Sequence, residues 1–378
     1  MLRDEKPANA AFEISKRRIF RQYAPQFTKK GVKVFDLNYM DPDQANCAYD
    51  PMDYIRGEED IISLSKQIVL ADSRKEHSHA DPFFDDAACS LMCAEIGLIL
   101  ETTKRPTFAD VLELHRQLEI SESGYSVETT LDARFENLHR THPGCFADRC
   151  WKTFKEAAIR TARSIFVSLN ATIDKVFTTS VCEAMKNKPH IDFRKFAQER
   201  SVLFITTSPI NSALDVLANM VMGTMIRELC RYAESTRQGR LPIPATLAFD
   251  DMACTSVLPD FPKQLANFRE YRISSLILLQ SESQLEGLYG RSGARTIIDS
   301  CDSYVYLGGN SVETAENISR RANIPLYDVL YQSVGNEIIF RRGTKPVFTK
   351  RYDIKSDELY KAIVNDDRPG CYGAPVRY

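Results

Sequence analysis

The second half of the chain contains four short runs that are apolar or β-branched almost throughout, each followed by a segment with helical spacing. The runs are SVLFITTSP, ATLAFDD, SSLILLQ and DSYVYLGG, which begin at residues 201, 245, 274 and 302. Strands that alternate with helices predict βαβ units and therefore a parallel sheet. Because these runs lack a polar face, they are typical of strands that helices cover on both sides.

The rest of the chain adds a further strand, a helical insertion and a hairpin. KKGVKVFDLN, residues 29–38, predicts a strand, and helical spacing dominates from residue 81 to about 188. NEIIFRRGTKPVFTKRYDI predicts a terminal hairpin around Gly343. The predicted domains are residues 1–56, the first piece of an α/β domain; 57–199, an inserted all-α domain; 200–358, the remainder of the α/β domain; and 359–378, a flexible tail.

Composition narrows the functional classes only a little. The formal net charge is -2, so binding to nucleic acid or to an anionic membrane would have to rest on a local basic patch. No apolar run reaches the ~18–20 residues that a membrane span needs, and the polar N-terminus lacks the apolar segment of a signal peptide. The ten cysteines are scattered, which suits a reducing compartment. The chain by itself is expected to be soluble and cytoplasmic.

One cluster has the residue types of a metal site. HRTHPGCFADRC brings His139, His142, Cys145 and Cys150 within twelve residues. Zinc sites use these side chains, but the spacing matches no common finger, and a zinc site usually draws two ligands from a separate element. The pattern therefore favours a polar loop with a Pro-Gly turn before a helix, and metal binding stays the alternative.

Polar side chains follow two of the predicted strands at the point where each strand ends. Asp250 and Asp251 come directly after ATLAF, and Gln280 follows SSLILL. In open parallel sheets, ligands bind beyond the carboxyl ends of the strands. An acid pair in that place is how many nucleotide-hydrolysing folds hold Mg²⁺. The simpler interpretation is that strands commonly end in polar residues, and each residue alone fits it.

The sequence around these tips carries a family resemblance. The block FDDMACTSVLPDFPKQLANFREYRISSLILLQSESQLEGLYG, residues 249–290, resembles the TraG/TraD-like coupling proteins of type IV secretion and conjugation. The resemblance spans roughly residues 12–359. It implies a RecA-like P-loop ATPase sheet with an inserted helical domain, in a motor that pumps single-stranded DNA and its attached relaxase. ATP and Mg²⁺ are the implied cofactors.

The resemblance also implies roles at matching positions. Asp250 would hold Mg²⁺ through its water shell, and Asp251 stands where the family has a glutamate that orients the attacking water. Aspartate is one methylene shorter, and a misplacement of about 1 Å can cost a hundredfold in rate. Arg269 would be an arginine finger that reaches a neighbouring subunit, with Arg272 as the second candidate. Gln280 would be the sensor of the phosphate state.

The phosphate loop itself is missing from the sequence. None of the sixteen glycines completes a G-x-x-x-x-G-K-[ST] motif. The spaced glycines Gly287, Gly290 and Gly293 predict only a loop. ISKRRIF, residues 14–20, matches the family block that follows the phosphate loop, so the sheet is expected to be incomplete at its N-terminus. Two explanations stay open: the chain is the downstream part of a longer protein, or it is a free-standing relative that lost catalysis.

The implied partners are those of a conjugative motor. They are single-stranded DNA, relaxase and accessory relaxosome proteins, the type IV secretion ATPases and membrane components, and further copies of the chain in a hexamer. The family works at the cytoplasmic face of the bacterial membrane. Candidate DNA contacts are Arg320, Arg321, Arg341 and Arg342. The alternative function is a pseudo-ATPase adaptor that docks the DNA–protein substrate onto the secretion apparatus, and nucleotide binding that depends on Asp250 distinguishes the two.

Overall fold

The computed structural model describes residues 8–364, except 70–81, 122–126, 209, 212, 253–256 and 259. The strands are β1 (Asn9–Ile14), β2 (Lys33–Asn38), β3 (Ser201–Thr206), β4 (Ala245–Phe249), β5 (Ile273–Ile277), β6 (Ser303–Tyr306), β7 (Asn336–Arg341) and β8 (Val347–Lys350). The helices are α1 (Arg17–Lys29), α2 (Glu58–Val69), α3 (Pro82–Thr102), α4 (Phe108–Arg116), α5 (Asp132–Thr141), α6 (Phe146–Lys155), α7 (Ile159–Val176), α8 (Thr179–Asn187), α9 (Phe193–Gln198), α10 (Ala213–Ser235), α11 (Phe261–Tyr271), α12 (Glu282–Ser300), α13 (Val312–Ala322), α14 (Leu326–Leu330) and α15 (Glu358–Val364).

Five strands form one sheet in the order β2-β3-β1-β4-β5. The pairs β1–β3, β1–β4 and β4–β5 are parallel, and Phe12 of β1 lies opposite Phe204 of β3 and Ala248 of β4. The α/β class expected from the sequence is therefore confirmed. The sequence pattern did not reveal β1, because NAAFEI is short and rich in alanine, which has little strand preference by itself. Pairing with a strand on each side fixes it as a central strand.

The sheet core is built around one aromatic side chain. Phe204 is 1% exposed. Its ring stacks on Phe12 at 5.3 Å, meets Phe20 edge-on at 5.3 Å and contacts Phe27 at 6.2 Å between ring centroids. Phe20 and Phe27 belong to α1, so these ring contacts pack α1 against the sheet. Aromatic pairs in these geometries contribute about 0.5–1.5 kcal/mol beyond the burial of their area.

The last predicted strand is placed differently from the expectation. β6, the strand of DSYVYLGG, lies in a separate antiparallel sheet of order β6-β7-β8. β7 and β8 form the hairpin that was predicted around Gly343, whose φ of 76° suits glycine. The spaced glycines form no loop either: Gly287 and Gly293 lie inside α12, which is kinked at Gly290. A short apolar run indicates a strand, but it does not determine the neighbour with which that strand pairs.

Backbone contacts divide the chain into two compact units. One comprises the described residues of Asp36–Asp192 and Ile210–Ile226, and the other comprises the remaining described residues. The first unit contains α2 to α8, and Gly97 of α3 lies so close to α6 that an added Cβ would stand 2.7 Å from the Cβ of Ala147. The domain boundaries expected from the sequence stay a prediction. Of the flexible tail expected over residues 359–378, residues 359–364 lie in α15 and residues 365–378 lie outside the described residues.

A histidine in this first unit gives it a predictable pH dependence. His190 Nδ1 lies 2.6 Å from Asp53 Oδ2, and Nε2 lies 2.6 Å from the Met185 carbonyl oxygen. Both partners accept hydrogen bonds, so they favour the ring with both nitrogens protonated. The hydrogen bond to Asp53 is the main reason why the His190 pKa rises to about 9. This stabilisation is complete below the unfolded pKa of about 6.5 and is lost as the pH rises through about 9.

We expect the His190→Gln variant to lose part of the pH dependence of the unfolding free energy. Between pH 7 and 10 the free energy of unfolding should fall by about 1 kcal/mol more in the unchanged chain than in the variant. The expected difference is this small because solvent screens the partly exposed pair of His190 and Asp53. Urea denaturation followed by the fluorescence of Trp151, the one tryptophan in the chain, measures it within this unit. Equal slopes for the two proteins would contradict the prediction.

Candidate functional site

Two neighbouring strand ends bring the predicted acids and amide together. Asp250 and Asp251 follow β4 directly, and Gln280 lies three residues beyond the end of β5. Backbone pairing continues past the strands, because Met252 N–H donates to the Leu278 carbonyl at 3.2 Å. This pairing holds the two strand ends side by side. Gln280 Nε2 donates a hydrogen bond to Asp251 Oδ1 at 3.4 Å.

The backbone of Asp251 explains why a short acid stands there. Its φ of 55° lies in the left-handed region, which costs most L-residues about 1–2 kcal/mol and which aspartate and asparagine enter more easily. A longer acid has no such local preference. The turn therefore favours aspartate over the glutamate that the family resemblance leads one to expect.

The two acids and one lysine set the electrostatics of the site. Burial raises the pKa of Asp250 above its ordinary value, the neighbouring charge of Asp251 raises it further, and Lys16 lowers it in part. Lys16 lies between β1 and α1, so it reaches Asp250 from the adjacent strand. Glu13 is only 2% exposed and lies at the position of β1 that pairs with Phe249, the residue before Asp250. The sequence did not show that Lys16 lies near Asp250, since that required recognising β1.

Because burial and the charge of Asp251 disfavour the ionised form of Asp250, we expect Asp250→Asn to stabilise the fold. Because the pKa of Asp250 is higher in the folded chain than in the unfolded chain, ionisation of this carboxyl lowers the free energy of unfolding. The loss develops as the pH rises through the folded pKa. At pH 7 the variant should melt about 1–3 °C higher, and the difference should vanish near pH 3.5, below the ordinary aspartate pKa of about 3.9. Scanning calorimetry of both proteins measures the difference. Asp299→Asn, in an exposed ion pair on α12, is the control, and a lower melting temperature for Asp250→Asn would contradict the expectation.

The two candidate arginines have different environments. Arg269 is exposed in the last turn of α11, just before the amino end of β5, and so lies away from the acids at the carboxyl end of the sheet. Within the described part of the chain its side chain makes no ion pair. Arg272 ends α11 with a φ of 62°, and its guanidinium donates to the carbonyls of Leu241 and Pro242 at 3.1 and 3.0 Å. These contacts give Arg272 a structural role.

Comparison with known proteins identifies the family. Residues 27–322 match the family described as Type IV secretory system Conjugative DNA transfer, which is most of the chain. The chain belongs to this family. Type IV secretion system-coupling protein VirD4 of Bartonella henselae is 19% identical over 314 residues, which is 83% of this chain and 47% of the relative. VirD4 of Bartonella quintana is 20% identical and covers 70% of this chain and 39% of the relative. The chain thus spans less than half the length of these curated relatives.

Solved structures show the same fold in coupling proteins. Unbound bacterial conjugative coupling protein TrwB is 15% identical, with a TM-score of 0.59, and covers 93% of this chain and 86% of that chain. TrwB in complex with ADP and Mg²⁺ gives 0.58 at 15% identity, covering 92% and 86%. VirB4 of Thermoanaerobacter pseudethanolicus gives 0.52 at 12% identity, covering 94% and 83%. The RecA-like architecture expected from the resemblance is confirmed. Across the described residues, no helix of this chain combines the length and apolar character of a membrane span.

Three of the four side chains that could have formed a metal site have other partners in this chain. His139 Nδ1 lies 2.9 Å from Asp148 Oδ2, and His142 Nδ1 lies 3.0 Å from the hydroxyl of Thr141. The thiol of Cys150 forms a hydrogen bond with the thiol of Cys93. Among the described residues, no group of three or more acidic, histidine or cysteine side chains could hold a metal ion.

The arginines suggested for DNA contact are largely engaged within the fold. Arg320 lies 3.6 Å from Glu316, and Arg342 lies 3.0 Å from Asp302. The Arg321 guanidinium lies over the rings of Tyr304 and Phe340, at 4.7 and 4.6 Å from their centroids. Arg341 is exposed on β7. A DNA phosphate would have to compete with these internal contacts, and the role of the arginines in DNA binding stays a prediction.

Proposed function

We propose that this chain forms the acid-pair part of the nucleotide site in a conjugative coupling motor. That motor moves single-stranded DNA and its attached relaxase to the transfer channel by ATP hydrolysis. The observation that carries the proposal is the meeting of Asp250, Asp251 and Gln280 at the carboxyl ends of two adjacent parallel strands. This is the edge where open parallel sheets bind ligands.

The donor set suits a magnesium ion. Mg²⁺ takes oxygen ligands and usually keeps several waters, so a single carboxylate can hold it through its hydration shell. Among the described residues, the Asp250 carboxylate makes no hydrogen bond or ion pair, although it is partly buried and its pKa is raised. A partly buried acid without these contacts can bind a cation without first breaking an internal interaction. When bound, Mg²⁺ would neutralise charge on the phosphates.

The remaining side chains would each have a separate role around that ion. The hydrogen bond from Gln280 fixes one oxygen of Asp251, so the other oxygen would orient a water molecule for attack. Loss of the γ-phosphate would alter this hydrogen bond and so be transmitted through Gln280 to β5. Arg269, exposed and distant from the acids of its own chain, would supply positive charge to the site of a neighbouring copy. A hexameric ring would bring these parts together. The TrwB complexes with an ATP analogue and with ADP and Mg²⁺ support nucleotide binding by this fold.

The adaptor remains the second candidate, and one observation favours it. The sequence contains no G-x-x-x-x-G-K-[ST] loop to surround the phosphates. A pseudo-ATPase adaptor would dock the relaxase-bearing DNA onto the secretion apparatus without hydrolysis. Docking by such an adaptor would depend on its surface residues and would not require Asp250 or Asp251.

A DNA-transfer assay distinguishes the two functions. The codon for Asp250 is changed to alanine in the native gene of the donor cell, and transfer frequency is measured beside a deletion of the gene. The motor predicts that Asp250→Ala lowers transfer about a hundredfold or more, since Mg²⁺-assisted charge stabilisation is lost. Asp299→Ala, in an exposed ion pair on α12, is the matched control and should transfer normally. If the Asp250→Ala donor transfers DNA normally while the deletion donor does not, the motor function is wrong and the adaptor function is favoured.

A further inference from the structure

Two cysteines from different helices meet in the compact unit that contains α2 to α8. The Cys93 thiol, on α3, forms a hydrogen bond with the Cys150 thiol, on α6. Cys93 is only 4% exposed, whereas Cys150 is partly exposed. The two sulfur atoms are therefore close enough to react with each other, and one of them can be reached from solvent.

The packing of α3 against α6 is close enough for a covalent link between the helices. An added Cβ on Gly97 would stand 2.7 Å from the Cβ of Ala147 and 3.3 Å from its Cα, so the two backbones approach closely here. Cys93 lies one turn before Gly97, and Cys150 lies one turn after Ala147. A disulfide needs Cα atoms closer than about 7 Å. Helices that pack on glycine and alanine meet this requirement more easily than helices that pack on large side chains.

The surroundings of Cys93 favour its thiolate, which is the reactive form of cysteine. The Cys150 thiol can donate a hydrogen bond to the Cys93 thiolate, and the Ser65 hydroxyl, 3.2 Å from Cys93 Sγ, can donate a second. These hydrogen bonds lower the pKa of Cys93 although burial opposes them, and the charge of Lys66 lowers it further. At Cys47, by contrast, burial raises the pKa to about 12. Cys93 therefore differs from a buried cysteine that only fills space.

We propose that Cys93 and Cys150 form an oxidation site, at which a peroxide converts the two thiols into a disulfide that joins α3 to α6. The disulfide closes the long segment between the two helices into a loop, and such a loop restricts the unfolded chain. Oxidation would therefore stabilise the unit that contains α2 to α8. The proposal does not depend on the nucleotide site, because neither cysteine belongs to it.

The reaction takes two electrons from the thiol pair and gives them to one peroxide molecule. Through the shared hydrogen bond, Cys150 passes its proton to the Cys93 thiolate, and the Cys150 thiolate attacks one oxygen of hydrogen peroxide. The O–O bond breaks, a sulfenic acid forms on Cys150, and the leaving hydroxide takes the proton of Cys93 to become water. The Cys93 thiolate then attacks the Cys150 sulfur. The S–S bond forms as the S–O bond breaks, and the departing hydroxide becomes a second water with a proton from solvent.

Peptide mapping of the full chain tests for the disulfide. The protein is reduced, freed of reductant and exposed to hydrogen peroxide, and the remaining thiols are blocked before digestion with trypsin. We expect a disulfide between the peptide of residues 150–152, CWK, and the peptide of residues 76–104, which contains Cys93. Dithiothreitol should reverse it. Dilution of the chain by about tenfold should leave the linked fraction unchanged, because both thiols belong to one molecule.

Single substitutions assign the two sulfur atoms. Cys93→Ala and Cys150→Ala should each abolish the link. Cys89→Ala should retain it, and this variant is needed because Cys89 lies in the same tryptic peptide as Cys93. Cys145→Ala, at the residue before α6, is the matched control and should also retain the link. A link that is lost in Cys89→Ala or in Cys145→Ala would overturn the assignment.

The melting temperature tests whether the link forms in the folded unit. Fluorescence of Trp151, in the same unit, follows its unfolding. The oxidised chain should melt about 5 °C or more above the reduced chain, and the same treatment should not raise the melting temperature of Cys150→Ala. Oxidation of Cys150 without a link, a linked fraction that falls on dilution, or an unchanged melting temperature after linking would each overturn the oxidation site.

Discussion

The purified chain, mixed with ATP and Mg²⁺, is expected to release phosphate more slowly than about 0.01 s⁻¹, at least a hundredfold below the lower end of ordinary enzyme turnover. Phosphoryl transfer depends almost entirely on positioning and on charge stabilisation. The chain supplies an acid pair and an amide at one edge of the sheet, but its sequence contains no loop whose amides and lysine could surround the phosphates. An acid pair without that loop has little with which to position a substrate.

A coupled phosphate-release assay measures this rate, with the Asp250→Ala variant as the background. Replacing Asp251 by glutamate should not raise the rate, because the lengthened acid still faces no positioned phosphate. Its left-handed backbone also accommodates glutamate less readily. A rate above about 0.1 s⁻¹ that disappears in Asp250→Ala would contradict the prediction, since turnover of that size requires a complete site.

Removing the ring of Phe204 is expected to destabilise the sheet-containing unit by about 3–5 kcal/mol. Phe204 is 1% exposed and its ring contacts those of Phe12, Phe20 and Phe27. Alanine would leave a cavity between β1, β3 and α1, and close-packed interiors fill such cavities only in part. The expected loss is a large share of the 5–15 kcal/mol by which ordinary domains are stable.

Hydrogen exchange of the β1 and β3 amides under urea reports the stability of this unit. Trp151 lies in the other unit, so its fluorescence does not serve here. Phe204→Leu is the matched control and should cost about 1.5 kcal/mol or less, because a leucine keeps most of the volume. A loss below about 1 kcal/mol for the alanine variant would mean that the surrounding rings close over the gap.

Much of the fold could be predicted because its strands are locally distinctive. The runs that became β3, β4 and β5 are mostly apolar or β-branched, and a short run of this kind between turn residues favours a strand over a helix. β1 could not be predicted, since its alanines carry little preference and its central place depends on partners nearly 200 residues away. For β6 the strand was predicted but not its sheet, because pairing is decided by tertiary contacts.

The candidate site divides in the same way. The sequence alone determined that Asp250, Asp251 and Gln280 end two strands, and that no phosphate loop is present, because these are statements about neighbouring residues. Only the tertiary structure joined Gln280 to Asp251, brought Lys16 toward Asp250 and put Asp251 in a left-handed turn. It also left β5 and β6 facing one groove. The physical reason is that local periodicity fixes which residues can form a strand, whereas which strand edges are paired or left open depends on contacts between distant segments.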